Sequence, residues 1–152
     1  MINSITNYIQ MKNSILNSAF ILLLLIGASS CQKSNNTNSP AIFKSAIQKG
    51  NWKVTLYNKN GKEETAYFSE YNFHFASDGK AIATTSGIDL SGSWSCGTED
   101  NLLKLYLNFG GSNPLQVINN DWHVVLQNAT TIKLDDISGG NGATEILTFE
   151  KK

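Results

Sequence analysis

Tyr71-Asn72-Phe73-His74-Phe75-Ala76-Ser77-Asp78-Gly79 places an aromatic ring at alternate positions and then closes on Asp-Gly. Successive side chains of a strand point to opposite faces. Tyr71, Phe73 and Phe75 therefore share one face, opposite Glu70, Asn72 and His74. Ser77-Asp78-Gly79 signals a tight hairpin, because glycine reaches the positive φ such turns require. Alternation continues on both sides of this hairpin. Upstream, Trp52 to Tyr57 alternates and Asn58 to Gly61 turns. Downstream come strands at 80–85 and 90–96, parted by Gly87, and then the row Leu103, Leu105, Leu107 and Phe109. Gly110 to Pro114 ends that row, and Leu115 to Asn120 reads as a helical turn. Trp122, Val124 and Leu126 alternate next, followed by Ile132 with Leu134 and Leu147 with Phe149. Strands this closely spaced are antiparallel neighbours rather than βαβ units. The pattern is all-β, and a meander of about eight strands either closes into a small barrel or splits into a sandwich.

One short helix precedes the strands. Ile42, Phe43, Ala46 and Ile47 recur at helical spacing, and Gly50 stands where a terminating glycine belongs. Ahead of it, Gln32 to Pro40 is polar and free of aromatic residues, which reads as a flexible tether.

The run Ala19-Phe20-Ile21-Leu22-Leu23-Leu24-Leu25-Ile26 falls short of the roughly 20 apolar residues that span a bilayer. With the small residues Gly27 to Ser30 and then Cys31, it resembles a bacterial lipoprotein signal peptide with a relaxed lipobox. Lys12 is the single charge ahead of Cys31, and Met11 reads as a better start than Met1. The resemblance implies cleavage before Cys31 and a diacylglycerol on its thiol. The expected organisation is a signal peptide over 1–30, a lipid-anchored tether over 31–40 and one domain over 41–152. The expected place is the bacterial outer membrane. In lipoproteins of the Bacteroidetes type, which this leader resembles, acidic residues just after the cysteine tend to mark export to the cell surface, so their lack after Cys31 implies the periplasmic face.

Composition excludes several classes of function. From Cys31 onward eleven lysines face twelve acidic residues, a net charge of −1 with neutral histidines. Such a chain has no overall electrostatic footprint for nucleic acid or anionic headgroups. No arginine is present, so the side chain best suited to bidentate phosphate recognition is missing. With Cys31 acylated, Cys96 is the remaining thiol and no internal disulfide can form.

Two tryptophans come one residue after a glycine, in Gly50-Asn51-Trp52 and Gly92-Ser93-Trp94. A short helix, a G-x-W opening the first strand, aromatic alternation into Asp-Gly, a second G-x-W and a closing Leu147-Thr148-Phe149-Glu150-Lys151 together resemble small lipocalin-like lipoproteins of the Bacteroidetes type. The resemblance implies an eight-stranded antiparallel up-and-down barrel preceded by a short α-helix, and a lumen that takes small apolar molecules. Lipocalins stack an arginine over the first tryptophan. Here Lys133 or Lys151 is the available substitute, through a cation–π contact.

Two functions fit this pattern. In one, a membrane-tethered carrier holds a small apolar ligand against Tyr71, Phe73, Phe75, Trp94, Leu105, Leu107 and Val124. In the other, the barrel is filled and its loops, such as 110–114 and 138–143, bind another envelope protein. No cofactor, metal or catalytic residue is expected. His74 and His123 fall on polar strand faces, and Cys96 shares the face of Trp94 as a small buried residue. The acid pairs Glu63-Glu64, Glu99-Asp100 and Asp135-Asp136 read as solvated turn charges. The glycine-rich stretch 135–142 lacks the ligand order of a calcium loop.

Overall fold

In the computed structural model, residues 39–136 and 144–152 are described. The expected signal peptide, the lipidation site Cys31 and nearly all of the tether lie outside them, as does most of the glycine-rich 135–142 stretch. Helix α1 (Pro40–Ile47) begins with proline, whose fixed φ suits a first turn and whose missing N–H costs nothing there. Strands β1 (Trp52–Lys59), β2 (Lys62–Glu63), β3 (Asn72–Phe75), β4 (Lys80–Thr85) and β5 (Ile88–Glu99) come next. Strands β6 (Leu102–Asn108), β7 (Asn120–Gln127), β8 (Thr131–Asp136) and β9 (Glu145–Lys151) complete the sheet. Two 3-10 turns, Thr65–Phe68 and Leu115–Ile118, interrupt the strands, the second where a helical turn is expected.

Every neighbouring pair is antiparallel, and β9 returns to β1. The two-residue β2 is an appendage of β1, so eight strands form a closed antiparallel barrel with one short helix before it. Barrel closure is uneven. The β1–β9 seam runs from Trp52↔Lys151 to Lys59↔Glu145, whereas β1 meets β3 at the single pair Trp52↔Phe73. Beyond that pair the first 3-10 turn takes over. Tyr57 donates its backbone N–H to Thr65 Oγ1 at 2.9 Å and accepts the Glu64 N–H at 2.9 Å. A strand edge is thus satisfied by a turn, as buried backbone groups require.

Consecutive strands alternate in direction, which defines two ends. The lower end holds the start of β1, α1 and the β3–β4, β5–β6 and β7–β8 hairpins; the upper end holds both 3-10 turns. Helix α1 crosses the lower opening with Phe43 and Ile47 fully buried. Phe68, Leu115 and Ile118 are fully buried from the upper side.

Two bulges overturn simple alternation. In β7 the register jumps between Val124 and Leu126, and in β1 between Val54 and Leu56. One extra residue reverses the parity of every later position in its strand. Leu126 is expected beside Trp122 and Val124 in the interior, but it points outward and is 42% exposed. Tyr57 turns inward in β1 and is fully buried.

Candidate functional site

Strand parity predicts a ligand-lining set of Tyr71, Phe73, Phe75, Trp94, Leu105, Leu107 and Val124. The fold brings these side chains together, but as partners of one another. Phe73 is the hub, with ring centroids 5.3 Å from Phe149, 6.0 Å from Phe109, 6.3 Å from Tyr71 and 6.5 Å from Phe68. Phe75 packs edge-on against Trp94 at 5.7 Å and Phe149 at 5.7 Å. Such T-shaped pairs match the positive ring edge to the negative ring face. Leu105, Leu107 and Val124 are buried in the same cluster, and Tyr71 packs against it half-buried. An eight-stranded barrel has an interior just wide enough for side chains to fill it, and here the rings pack against one another.

The three tryptophans secure the ends. Trp52 donates its indole N–H to the Ile47 carbonyl at 2.8 Å, fixing the last turn of α1 over the lower opening. Trp94 donates to the Ala76 carbonyl at 2.9 Å, holding the β3–β4 hairpin. Trp122 donates to the Ile118 carbonyl at 3.0 Å, anchoring the upper 3-10 turn. Of Lys133 and Lys151, it is Lys151 that lies over Trp52, its Nζ 5.9 Å from the centre of the ring.

The glycines of the two G-x-W motifs have separate reasons. Gly50 adopts φ +100°, and a Cβ there would lie 2.7 Å from Lys151 Cε. A Cβ on Gly92 would collide with the Asn108 carbonyl oxygen and the Phe109 ring.

Recesses occur on the outer surface. One of about 250 Å³ opens at the lower end between α1 and the β3–β4 hairpin, beside Lys44, Ser77, Asp78, Ser95 and Cys96. Another of about 190 Å³ lies over β5 and β6, beside Ser93, Tyr106 and Asn108. A third of about 360 Å³ is an open groove along the outward face of α1, at Ile42, Ser45 and Lys49. Cys96 is half-buried, with Sγ 3.5 Å from the Pro40 carbonyl. Burial pushes its thiol pKa up and Lys44 only partly opposes this, the reverse of what an activated nucleophile needs.

Tyr57 is the least foreseen polar group. Its hydroxyl proton is shared between the Val117 carbonyl at 3.0 Å and Glu145 Oε2 at 3.3 Å. Burial, and then the charge of Glu145, raise the phenol's pKa well above its ordinary value. His123 is half-buried and lies 2.9 Å from Asp135. Asn120 donates to Asp136 at 2.7 Å. Asp135 and Asp136 are thus strand residues with partners, not solvated turn charges. The pairing arises from β7–β8 register, which sets His123 opposite Asp135. Among the described residues no three His, Cys, Asp or Glu side chains form a metal-holding group.

Comparison with known proteins adds little. No family model matches the chain, and no curated protein matches it. Among solved structures, it is similar to a DUF4847 family protein from Bacteroides vulgatus ATCC 8482. That likeness has 14% identity and a TM-score of 0.49, and covers 72% of this chain and 97% of the other.

Proposed function

We propose that this protein is a membrane-tethered barrel whose interior is a packed core and whose working surface is external, an interaction module of the bacterial cell envelope. The interlocked rings around Phe73 carry this reading, because they occupy the space an apolar ligand would need. The signal-peptide-like leader and Cys31 supply the tether, through a lipid on the thiol, and the outer membrane is the proposed location. The carrier alternative requires Phe73 or Phe75 to swing aside for each bound molecule. That would break four ring contacts at Phe73.

Native mass spectrometry of the protein purified from its own membrane separates the two. The filled barrel gives the polypeptide plus its covalent lipid and nothing further. A reproducible extra mass that leaves on denaturation would establish the carrier and remove the present reading. The partner is tested by a photo-crosslinking side chain at Gly111, which is exposed and has no atom within 4 Å of an added Cβ. Discrete protein adducts in intact cells are expected, and their absence there and at Asn113, on the same loop, would count against an interaction role.

A further inference from the structure

A net charge of −1 spread evenly would leave the surface featureless, but the fold separates it along the barrel axis. Lys44 and Lys49 lie on α1 and just after it, and Lys80, Lys133, Lys151 and Lys152 lie towards the lower rim. The upper end carries Glu63, Glu64, Asp89, Asp135, Asp136 and Glu145, against Lys59 and Lys62 alone. Those two lysines are held in ion pairs with Glu145 and Glu64. At the lower end Lys80 is paired with Asp78, whereas Lys44, Lys49 and Lys133 have no ion pair among the described residues. Asp78, Glu99, Asp100 and Glu150 are the four acids there against six lysines, and the balance stays positive.

The same end exposes an apolar patch. Val125 is 54% exposed and Leu102 and Leu126 are each 42% exposed. The β6–β7 register, Lys104↔His123, continued by two residues sets Leu102 opposite Val125. The β7 bulge then turns Leu126 outward beside them, opposite Lys133. Ile42, on the outer face of α1, is 47% exposed. Leu102 stands opposite Glu99 and two residues from Asp100, and the upper end exposes Tyr67 and Ile88 among carboxylates of its own.

The tether enters at this lower end, since Ser39 immediately precedes α1. Eight residue steps separate Cys31 from Ser39, a reach of at most about 28 Å. A lipid on Cys31 therefore keeps the lysine-rich apolar end within reach of a bilayer, where basic residues are drawn to anionic headgroups and leucine-type side chains bury favourably at the interface. We propose that the lower end seats on the surface of an anionic phospholipid bilayer, through Leu102, Val125, Leu126 and Ile42, with Lys133 beside Leu126 and Lys44 and Lys49 on and just after α1 at the same end, and so points the acidic upper end away from the membrane. This rests on the tethered-barrel reading and adds an orientation to it.

The test uses the full lipidated protein reconstituted into vesicles containing about 30% phosphatidylglycerol and a brominated lipid quencher. A bimane label is placed at Val125→Cys or Ile88→Cys, each with Cys96→Ser, and circular dichroism checks each variant's fold. Quenching about threefold stronger at position 125 than at 88 is expected, falling towards parity in about 0.5 M NaCl or in phosphatidylcholine alone. The 125 label with Leu126→Asp and Lys133→Glu added should lose the excess while its circular dichroism stays unchanged. Equal quenching at 125 and 88, or more at 88, overturns the orientation. The mass of the Cys31 peptide is read in parallel. An acylated Cys31 with equal quenching removes the orientation alone, and an unacylated Cys31 removes the tether and the orientation together.

Discussion

The two ends of the barrel meet the same demand, covering an apolar interior, with different devices. The lower end uses a helix, with Phe43 and Ile47 pressed inward and Trp52 bonded to the helix's last carbonyl. The upper end uses two 3-10 turns, with Phe68, Leu115 and Ile118 pressed inward and Trp122 and Tyr57 bonded to the second turn. In each case a large amphipathic ring buries its body and gives its one polar hydrogen to a backbone carbonyl of the plug. The closures are equivalent in packing and opposite in charge. Stability is thus shared between the ends, while any preference for one surface is set by the lysines at the bottom and the carboxylates at the top.

The largest effect is expected where the two ends join. Phe73→Ala removes the ring that touches Phe68 above and Phe149 and Phe109 beside it, and should cost about 3–5 kcal/mol in urea unfolding. Both ends should still unfold in one transition. A loss under about 1 kcal/mol would mean the interior has room to spare, and the carrier reading would return. Next come the plugs, one at a time. Trp52→Phe and Trp122→Phe each leave a carbonyl without its donor and should cost about 1–2 kcal/mol. Hydrogen exchange distinguishes them. The first should speed the Gln48 and Lys49 amides and the second the Asn119 amide, each leaving the other end unchanged. Cross-talk between the ends would show that they are not independent closures.

Tyr57 gives the upper end an alkaline pH dependence. Its folded pKa is raised, chiefly by burial and then by Glu145, so the neutral phenol stabilises the fold below the unfolded value of about 10. That contribution is lost as pH climbs from there through the folded pKa. Tyr57→Phe should cost about 1 kcal/mol at neutral pH and flatten the fall in stability above about pH 10. An unchanged alkaline profile would place the titrating group elsewhere. The smallest effect belongs to the lower end. Lys151→Ala should cost about 0.5–1 kcal/mol through the Trp52 ring, read as a small shift in melting temperature. Lys151→Met, which keeps the stem but loses the charge, separates packing from cation–π attraction.

Much of the barrel is legible from period-two rows, because inward residues on a closed antiparallel sheet must be apolar whichever neighbours they meet. Phe73, Phe75, Trp94, Leu105, Leu107 and Val124 all lie on the interior side that their alternation assigns. The bulges are not legible. Nothing local in Trp122-His123-Val124-Val125-Leu126 says that one residue is extra, since the extra residue exists only relative to Leu134 and Lys133 across the strand. The His123–Asp135 contact and the Tyr57–Glu145 bond are hidden for the same reason, as products of register between segments distant in sequence.

The order of residues alone dictates the all-β class and the short leading helix. Both come from side-chain periodicity. Folding in three dimensions was needed to close the aromatic rings on one another, to turn Leu126 outward, and to make of a nearly neutral chain a barrel with a cationic and an acidic end. Charges summed along a chain carry no direction. An up-and-down sheet gives them one, because each hairpin returns its residues to one end or the other.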